Sequence, residues 1–333
     1  MRTVTPIEKI AILGSGALGC YYGAKLHQAH HEVHFLLRSD YEHVRHHGIK
    51  VSSPQGDFKF APRAALDPQS IGPSDLVIVC LKTTAKHVIP SLLPPLLHEN
   101  SLVLCLQNGL GNIEWLSKFA PIEQILGGLC FICVNRPAPG IIKHLAHGQI
   151  VIGEAAGWPE PRTHELASLF QNAGVPCKVT DKLQKAQWEK LVWNIPFNGL
   201  GVAGCLGHAF FDSSGTTLST RQAAPLSTDQ LLTHPQWLET VRQLMHEIIQ
   251  VATAQGYPIK DSLAEKMIEN TRTMNDYHPS TVIDFELGRP LEYESMFGLP
   301  LKEARETSVQ TPVLERLCTI LQLLIKKDAQ DRS

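Results

Sequence analysis

Charge is scarce in this sequence and never gathers into a block. Lys and Arg number 30 against 32 Asp and Glu, charged residues make up 19% of the chain, and the formal net charge is −2. A nucleic-acid partner usually requires a basic stripe, and an anionic lipid surface requires a polybasic segment, so neither partner is expected. Long hydrophobic runs are missing too. The longest, such as Leu76 to Leu81, have the length of a strand, whereas a membrane span takes about 18 or more apolar residues. Met1 and Arg2 precede an apolar stretch at Ile10 to Leu13, but glycines break it at once and no small-residue cleavage pattern follows, so no signal peptide is read and the cytoplasm is the expected location. Fixed-period repeats and low-complexity tracts are absent, which excludes solenoids and fibrous folds. Eight cysteines lie scattered through 333 residues, too few and too dispersed for a disulfide framework. Cys130 and Cys133 form a CxxC inside the strand-like run LCFICV, away from the helix start where a redox pair would sit, and are read as packing residues.

What is present describes a folded chain. Hydrophobic residues make up 43% and mean hydropathy is −0.06, far from the composition of disordered proteins. At about 150 residues per domain, the length implies two domains. In the first half, short apolar runs alternate with amphipathic stretches: KIAILG (9–14), EVHFLL (32–37), DLVIVCLK (75–82), SLVLCLQ (101–107) and ILGGLCFICV (125–134). Runs buried on both faces and separated by helical segments are parallel strands of a doubly wound α/β sheet. IKVSS and FKFAP within 49–62, and GQIVIGE at 148–154, are further strands of more antiparallel character. From about residue 182 the texture becomes helical, over 182–198, 236–255, 260–275 and 311–326. The expected architecture is therefore a Rossmann-type domain over 1–180 followed by an all-helical domain over 181–333. Residues 207–235, rich in Ser, Thr and Gly, read as an extended connection without helical pattern.

Gly14-Ser15-Gly16-Ala17-Leu18-Gly19 follows the first strand and opens a helical pattern. In that context Gly14 makes the turn, Gly16 lets backbone approach a pyrophosphate, and Gly19 lets the helix close on the sheet, with the helix N-terminus facing the anion. The bland alternative is a purely structural glycine turn. The second strand ends at Arg38, about where an NAD site would place an acid against the ribose hydroxyl. A guanidinium suits the 2′-phosphate of NADP instead, although Asp40 stands close by. Lys82 and Asn108 follow two further strands, at the ends where open α/β sheets bind ligands. Each also has a bland reading, as a gatekeeper charge and as an Asn-Gly turn.

Lys190, Asn194 and Asn198, in WEKLVWNIPFN, recur at i, i+4 and i+8 and form one polar stripe on an otherwise apolar helix. Buried amides without hydrogen bonds cost about 1–3 kcal/mol each, so these either stitch helices together or meet a polar ligand. Pro196 is expected to kink that helix. Carbonyl reduction gives a lysine a purpose here, because an ammonium can stabilise the charge developing on oxygen and then deliver a proton. A carboxylate nearby would orient it, and Glu292 and Asp284 are candidates. Two histidine groups, His27, His30, His31 and His34, then His43, His46 and His47, have spacings that suit one helix face, but no acid and cysteine set completes a metal site, and a solvated face is the reading.

These segments, in order, resemble the ketopantoate reductases: GSGALG, Arg38, Lys82, QNG at 107–109, WEKLVWNIPFN, HPSTVIDFELGRPLE and the closing QTPVLERL. The resemblance covers nearly the whole chain. It implies a Rossmann domain followed by a helical domain, and reduction of a small 2-oxo acid, 2-dehydropantoate, to (R)-pantoate with NADPH, with the substrate between the two domains. It also implies Lys190 as general acid and Glu292 as the acid contacting both that lysine and the substrate hydroxyl. Asn194, Asn198 and Ser280 look like substrate binders, and Lys82 and Asn108 resemble residues near the cofactor and the reacting centre. Around Glu292 the chain reads LEYESMFG, where the family usually has a TEID-like stretch ending in Asn-Gly. A dehydrogenase of another hydroxy acid and a non-catalytic NADP(H) sensor remain alternatives. A homodimer fits a helical domain with apolar faces as well as a monomer does.

Overall fold

The structure, a computed structural model, describes residues 6–213 and 223–331. The chain divides into two compact units, Met1–Leu183 and Gln184–Ser333.

The first unit is an α/β layer structure built on ten strands: β1 (Lys9–Leu13), β2 (Glu32–Leu36), β3 (Ile49–Ser52), β4 (Phe58–Phe60), β5 (Arg63–Ala65), β6 (Leu76–Val79), β7 (Leu102–Cys105), β8 (Ile125–Ala138), β9 (Ile141–Glu154) and β10 (Cys177–Val179). They run in the order β4-β3-β9-β8-β7-β6-β1-β2-β5, with β10 beside β9. The central run from β2 through β1, β6 and β7 to β8 is parallel, and every residue of β6 is buried, as sheets covered on both faces require. Among the described residues only β3–β4 and β8–β9 pair antiparallel. Six helices accompany the sheet: α1 (Ala17–Gln28), α2 (Tyr41–His47), α3 (Pro68–Ile71), α4 (Ile89–Leu92), α5 (Asn112–Leu116) and α6 (Pro161–Asn172). α1 touches β1 and β2 on one side and β3, β8 and β9 on the other, so the sheet curls around it. Its Tyr22 and Leu26 are fully buried with Phe35, Ile150 and Phe170, each such side chain contributing about 1.5–3 kcal/mol by leaving water.

The strand readings from the sequence hold in kind, while β5, β10 and the true length of β8 and β9 exceed them. Cys130 and Cys133 both lie inside β8, and no disulfide is formed by any cysteine. Burial pushes the Cys20 and Cys105 thiols up to about 12, which suits inert core residues.

The second unit is helical: α7 (Leu183–Ala203), α8 (His208–Asp212), α9 (Thr228–Thr233), α10 (Pro235–Ala254), α11 (Ser262–Arg272), α12 (Ser280–Glu286), α13 (Leu299–Glu306) and α14 (Pro312–Gln330). α7 carries Pro196 inside a helix that continues unbroken past it, so the proline costs a hydrogen bond but does not end the element. The connection read as extended over 207–235 needs correction. It contains α8 and α9, and α9 begins with a capping box in which the Ser227 hydroxyl accepts from Gln230 N while the Gln230 side chain accepts from Ser227 N. Residues 214–222 of it lie outside the described residues. No described helix is long and apolar enough to cross a membrane.

Glu247 of α10 is buried and accepts from the first-turn amides of α14, Val313 N at 2.9 Å and Leu314 N at 2.8 Å. Burial raises its pKa and the two amides pull the other way, leaving it raised. A carboxyl raised on folding contributes stability that is present below its unfolded pKa and lost as pH rises through the folded one. The melting temperature of Glu247→Gln relative to the native chain should therefore rise as pH climbs above the ordinary carboxyl value of about 4. A flat or falling difference contradicts this account of Glu247.

Candidate functional site

Register brings the strand-end residues together. Leu13, Val79 and Cys105 lie side by side on β1, β6 and β7, so Gly14, Lys82 and Asn108 leave the same edge of the sheet, where open α/β folds bind ligands. The three glycines separate into distinct tasks. Gly14 has φ +109°, and a Cβ there would lie 2.4 Å from Leu81 N. At Gly19 a Cβ would lie 2.3 Å from the carbonyl of Gly14, so this position holds helix against turn. A Cβ at Gly16 meets nothing within 4 Å. That open side, with φ −78° and ψ −162° at the N-cap of α1, is not needed by the protein's own packing. Neither a side-chain cap nor an acid occupies the first turn of α1, which leaves the amides of Ala17, Leu18 and Gly19 for an anion. Ser15 donates its hydroxyl to Leu36 O at 2.8 Å and pins the turn to the end of β2, while Leu18 packs against the core. These residues fit a dinucleotide.

Two substitutions separate the tasks. Gly16→Ala should leave the melting temperature almost unchanged yet weaken binding of a nicotinamide dinucleotide by about tenfold or more, because the methyl fills the open side of the turn. Gly19→Ala should destabilise the fold itself. Fluorescence titration and thermal melting check both. A Gly16→Ala protein that binds normally contradicts the cradle.

Beyond β2, Arg38 is exposed and its side chain makes no ion pair among the described residues. Asp40 is buried at 7% exposure, with Oδ2 ion-paired to Arg136 and Oδ1 accepting from the Ser39 hydroxyl at 3.0 Å. At the other strand ends, Gln107 Nε2 donates to Leu81 O at 2.7 Å, joining the loops after β6 and β7. Lys82 is exposed and opens a 3-10 turn over Thr83–Val88. Asn108 O accepts from Asn112 Nδ2 at 2.9 Å, and Gly109 and Gly111 adopt φ of +83° and +75°, so the QNG turn is fixed by hydrogen bonds. Asn112 is a supporting residue that no sequence motif singles out, and Gln107 of the QNG segment turns out to join two loops.

In the second unit, Asn194 and Asn198 are 7% and 2% exposed and Lys190 is half-buried, all on α7. Asn198 is committed to protein. Its Oδ1 accepts from Thr281 N at 2.9 Å, in the first turn of α12, and its Nδ2 donates to Asn194 O at 2.9 Å. It thereby fixes α12, whose first residue is Ser280. The Asn194 carboxamide and the Ser280 hydroxyl make no hydrogen bond among the described residues. Glu292 is buried at 7% exposure and its carbonyl accepts from Met296 N at 3.2 Å, just before a π-helical turn over Glu294–Gly298, a distortion that often accompanies functional sites. Lys190 and Glu292 both have protein partners. Asp284, the other acid weighed for the site, is buried and lies 3.8 Å from Arg289 Nη1. His43 and His47 pack with ring centroids 4.7 Å apart on α2. No group of three His, Cys, Asp or Glu side chains among the described residues is placed to hold a metal ion.

Known proteins share this sequence and fold. The family model described as ketopantoate reductase PanE/ApbA matches residues 10–157, and the model of its C-terminal part matches 220–325. The chain is 41% identical over 323 residues to a 2-dehydropantoate 2-reductase of Nostoc sp., covering 95% of each. A crystal structure of 2-dehydropantoate 2-reductase from Geobacter metallireducens superposes with a TM-score of 0.86 at 42% identity, covering 95% of this chain and 99% of that one. A D-mandelate dehydrogenase with NADH and anilino(oxo)acetate shares the fold at 20% identity and a TM-score of 0.83, over 96% and 99% of the two chains.

Proposed function

The chain belongs to the ketopantoate reductase family, and from that premise we propose that it reduces 2-dehydropantoate to (R)-pantoate with NADPH, in the cytoplasm. The observation that carries the reading is the pair of spare polar groups, Asn194 and Ser280, on the elements that also bear Lys190 and lead to Glu292. Neither group is committed to a protein hydrogen bond among the described residues, so each is available to a polar ligand.

When bound, the reduced nicotinamide supplies a hydride to the keto carbon. The remaining steps fall to this chain. Lys190 holds a proton at Nζ, stabilises the charge that develops on the keto oxygen, and delivers the proton to it. Glu292 orients that ammonium and accepts from a substrate hydroxyl. Asn194 and Ser280 bind the remaining polar groups of the substrate, and Asn198 acts through them by holding the first turn of α12. Arg38, exposed and without an ion pair, supports NADPH over NADH by offering a guanidinium to the 2′-phosphate.

The test is to incubate the purified protein with NADPH and a panel of 2-oxo acids, branched aliphatic members alongside phenylglyoxylate, and follow loss of the reduced nicotinamide. Turnover should be highest with 2-dehydropantoate. Preference for the aromatic acid would favour a hydroxy-acid dehydrogenase of different substrate, and no consumption with any member would favour a nucleotide-binding sensor.

A further inference from the structure

β8 and β9 are the two longest strands of the sheet. The first residues of β8 pair with β7, but the strand runs on beyond that partner to Ala138, with its register against β9 broken between Asn135 and Ala138. Irregularities of this kind turn a side chain out of the regular alternation. Arg136 stands in that break, 96 residues from Asp40 in sequence, and its Nη1 is ion-paired with Asp40 Oδ2. Asp40 is 7% exposed and its other oxygen accepts from the Ser39 hydroxyl, so both carboxylate oxygens are taken. The same guanidinium is near the first turn of α1: burial raises the Cys20 thiol, and Arg136 draws it back down. A cation from β8, a strand that packs on α1, is thus delivered to the acid two residues past Arg38.

We propose that Arg136 is a specificity residue for the nucleotide: by occupying Asp40 it denies a ribose 2′-hydroxyl the carboxylate that would bind it, and it leaves a net positive strand end for a 2′-phosphate. The inference rests on the NADPH reading given above and adds to it the residue that makes Arg38 effective. An acid at the end of the second strand is what a 2′-hydroxyl site uses. Here an acid stands four residues past β2, at the N-cap of α2, and is neutralised, and the choice of nucleotide is set by a residue from a strand outside the nucleotide-binding turn.

Calorimetric titration with 2′,5′-ADP and with 5′-AMP, fragments carrying and lacking the 2′-phosphate, reads the preference without turnover. In Arg136→Ala the affinity for 2′,5′-ADP should fall about tenfold or more, because the buried Asp40 carboxylate loses its cation and repels the added phosphate, while 5′-AMP binding holds or improves. Adding Asp40→Asn to Arg136→Ala should restore most of the loss. Should Arg136→Ala fail to melt cooperatively, Arg136→Gln keeps a donor for Asp40 and is expected to shift the preference in the same direction by less. Equal losses for both fragments, or no loss for either, overturn the role of Arg136. If the native chain prefers 2′,5′-ADP and Arg38→Ala abolishes that preference while Arg136→Ala leaves it intact, the inference alone fails. If the native chain binds the two fragments equally, the NADPH reading fails and the inference with it.

Discussion

Lys190→Ala should lower turnover of 2-dehydropantoate by about a hundredfold or more while leaving NADPH affinity nearly unchanged. The expectation follows from where the residue sits. Lys190 lies on α7 in the helical unit, whereas the glycine turn, Arg38 and the strand-end loops belong to the first unit, so the proposed chemistry and nucleotide binding should separate by mutation. The side chain is half-buried on a helix whose neighbours Leu191, Val192 and Ile195 are fully buried, an environment in which a point charge acts strongly on an oxygen gaining negative charge. Loss of a group that acts only in the transition state lowers kcat and kcat/KM together. A rise in KM with kcat preserved would instead make Lys190 a substrate anchor, and a mutant as fast as the native enzyme would remove it from the chemistry. Steady-state kinetics beside a nucleotide titration distinguish these outcomes.

The second large effect concerns stability. Glu154→Ala should destabilise the protein by about 3–5 kcal/mol. Glu154 closes β9 at 5% exposure, receives Arg162 Nη2 at 2.7 Å and Nε at 3.3 Å, and also accepts from the Thr163 hydroxyl. Thr163 in turn accepts from Glu160 N at 2.9 Å, within the capping box that starts α6. Removing the carboxylate strands a guanidinium whose side chain is only 12% exposed and leaves the cap without its anchor. The more exposed Glu160, 3.5 Å from Arg162 Nε, is a poor substitute because solvent screens it. For a unit of this size the melting temperature should drop by roughly 10 °C. Glu154→Gln, which keeps an acceptor for Thr163, should lose less. Equal stability of Glu154→Ala and the native chain would contradict the assignment.

Local signals in the sequence reached the parts of the fold and site that local physics determines. The glycine turn was legible because strand, turn and helix follow one another and each glycine answers a separate steric demand. The Lys190, Asn194 and Asn198 stripe was legible because helix periodicity alone puts those positions on one face. What escaped depends on distant partners. Asn198 reads as a ligand-facing amide until Thr281 N, 83 residues away, takes its oxygen. Asp40 reads as a rival to Arg38 until Arg136 arrives from an irregular stretch of β8. The full length of β8 and β9 was hidden because their polar halves, with Asn135, Arg136, Lys143 and His144, do not look like buried strand. The Ser227-to-Gln230 spacing did carry a helix start inside the supposed extended connection, a capping-box signature obscured by the small polar residues around it.

Isotope transfer follows the hydride itself. With 2-dehydropantoate and NADPH bearing deuterium on the reducing carbon of the nicotinamide ring, on the face the enzyme uses, the account requires one deuterium per molecule on the carbinol carbon of the product, which is (R)-pantoate. Pantoate without the label after both ring faces have been tried, or NADPH oxidised without pantoate appearing, would contradict hydride transfer to this keto acid.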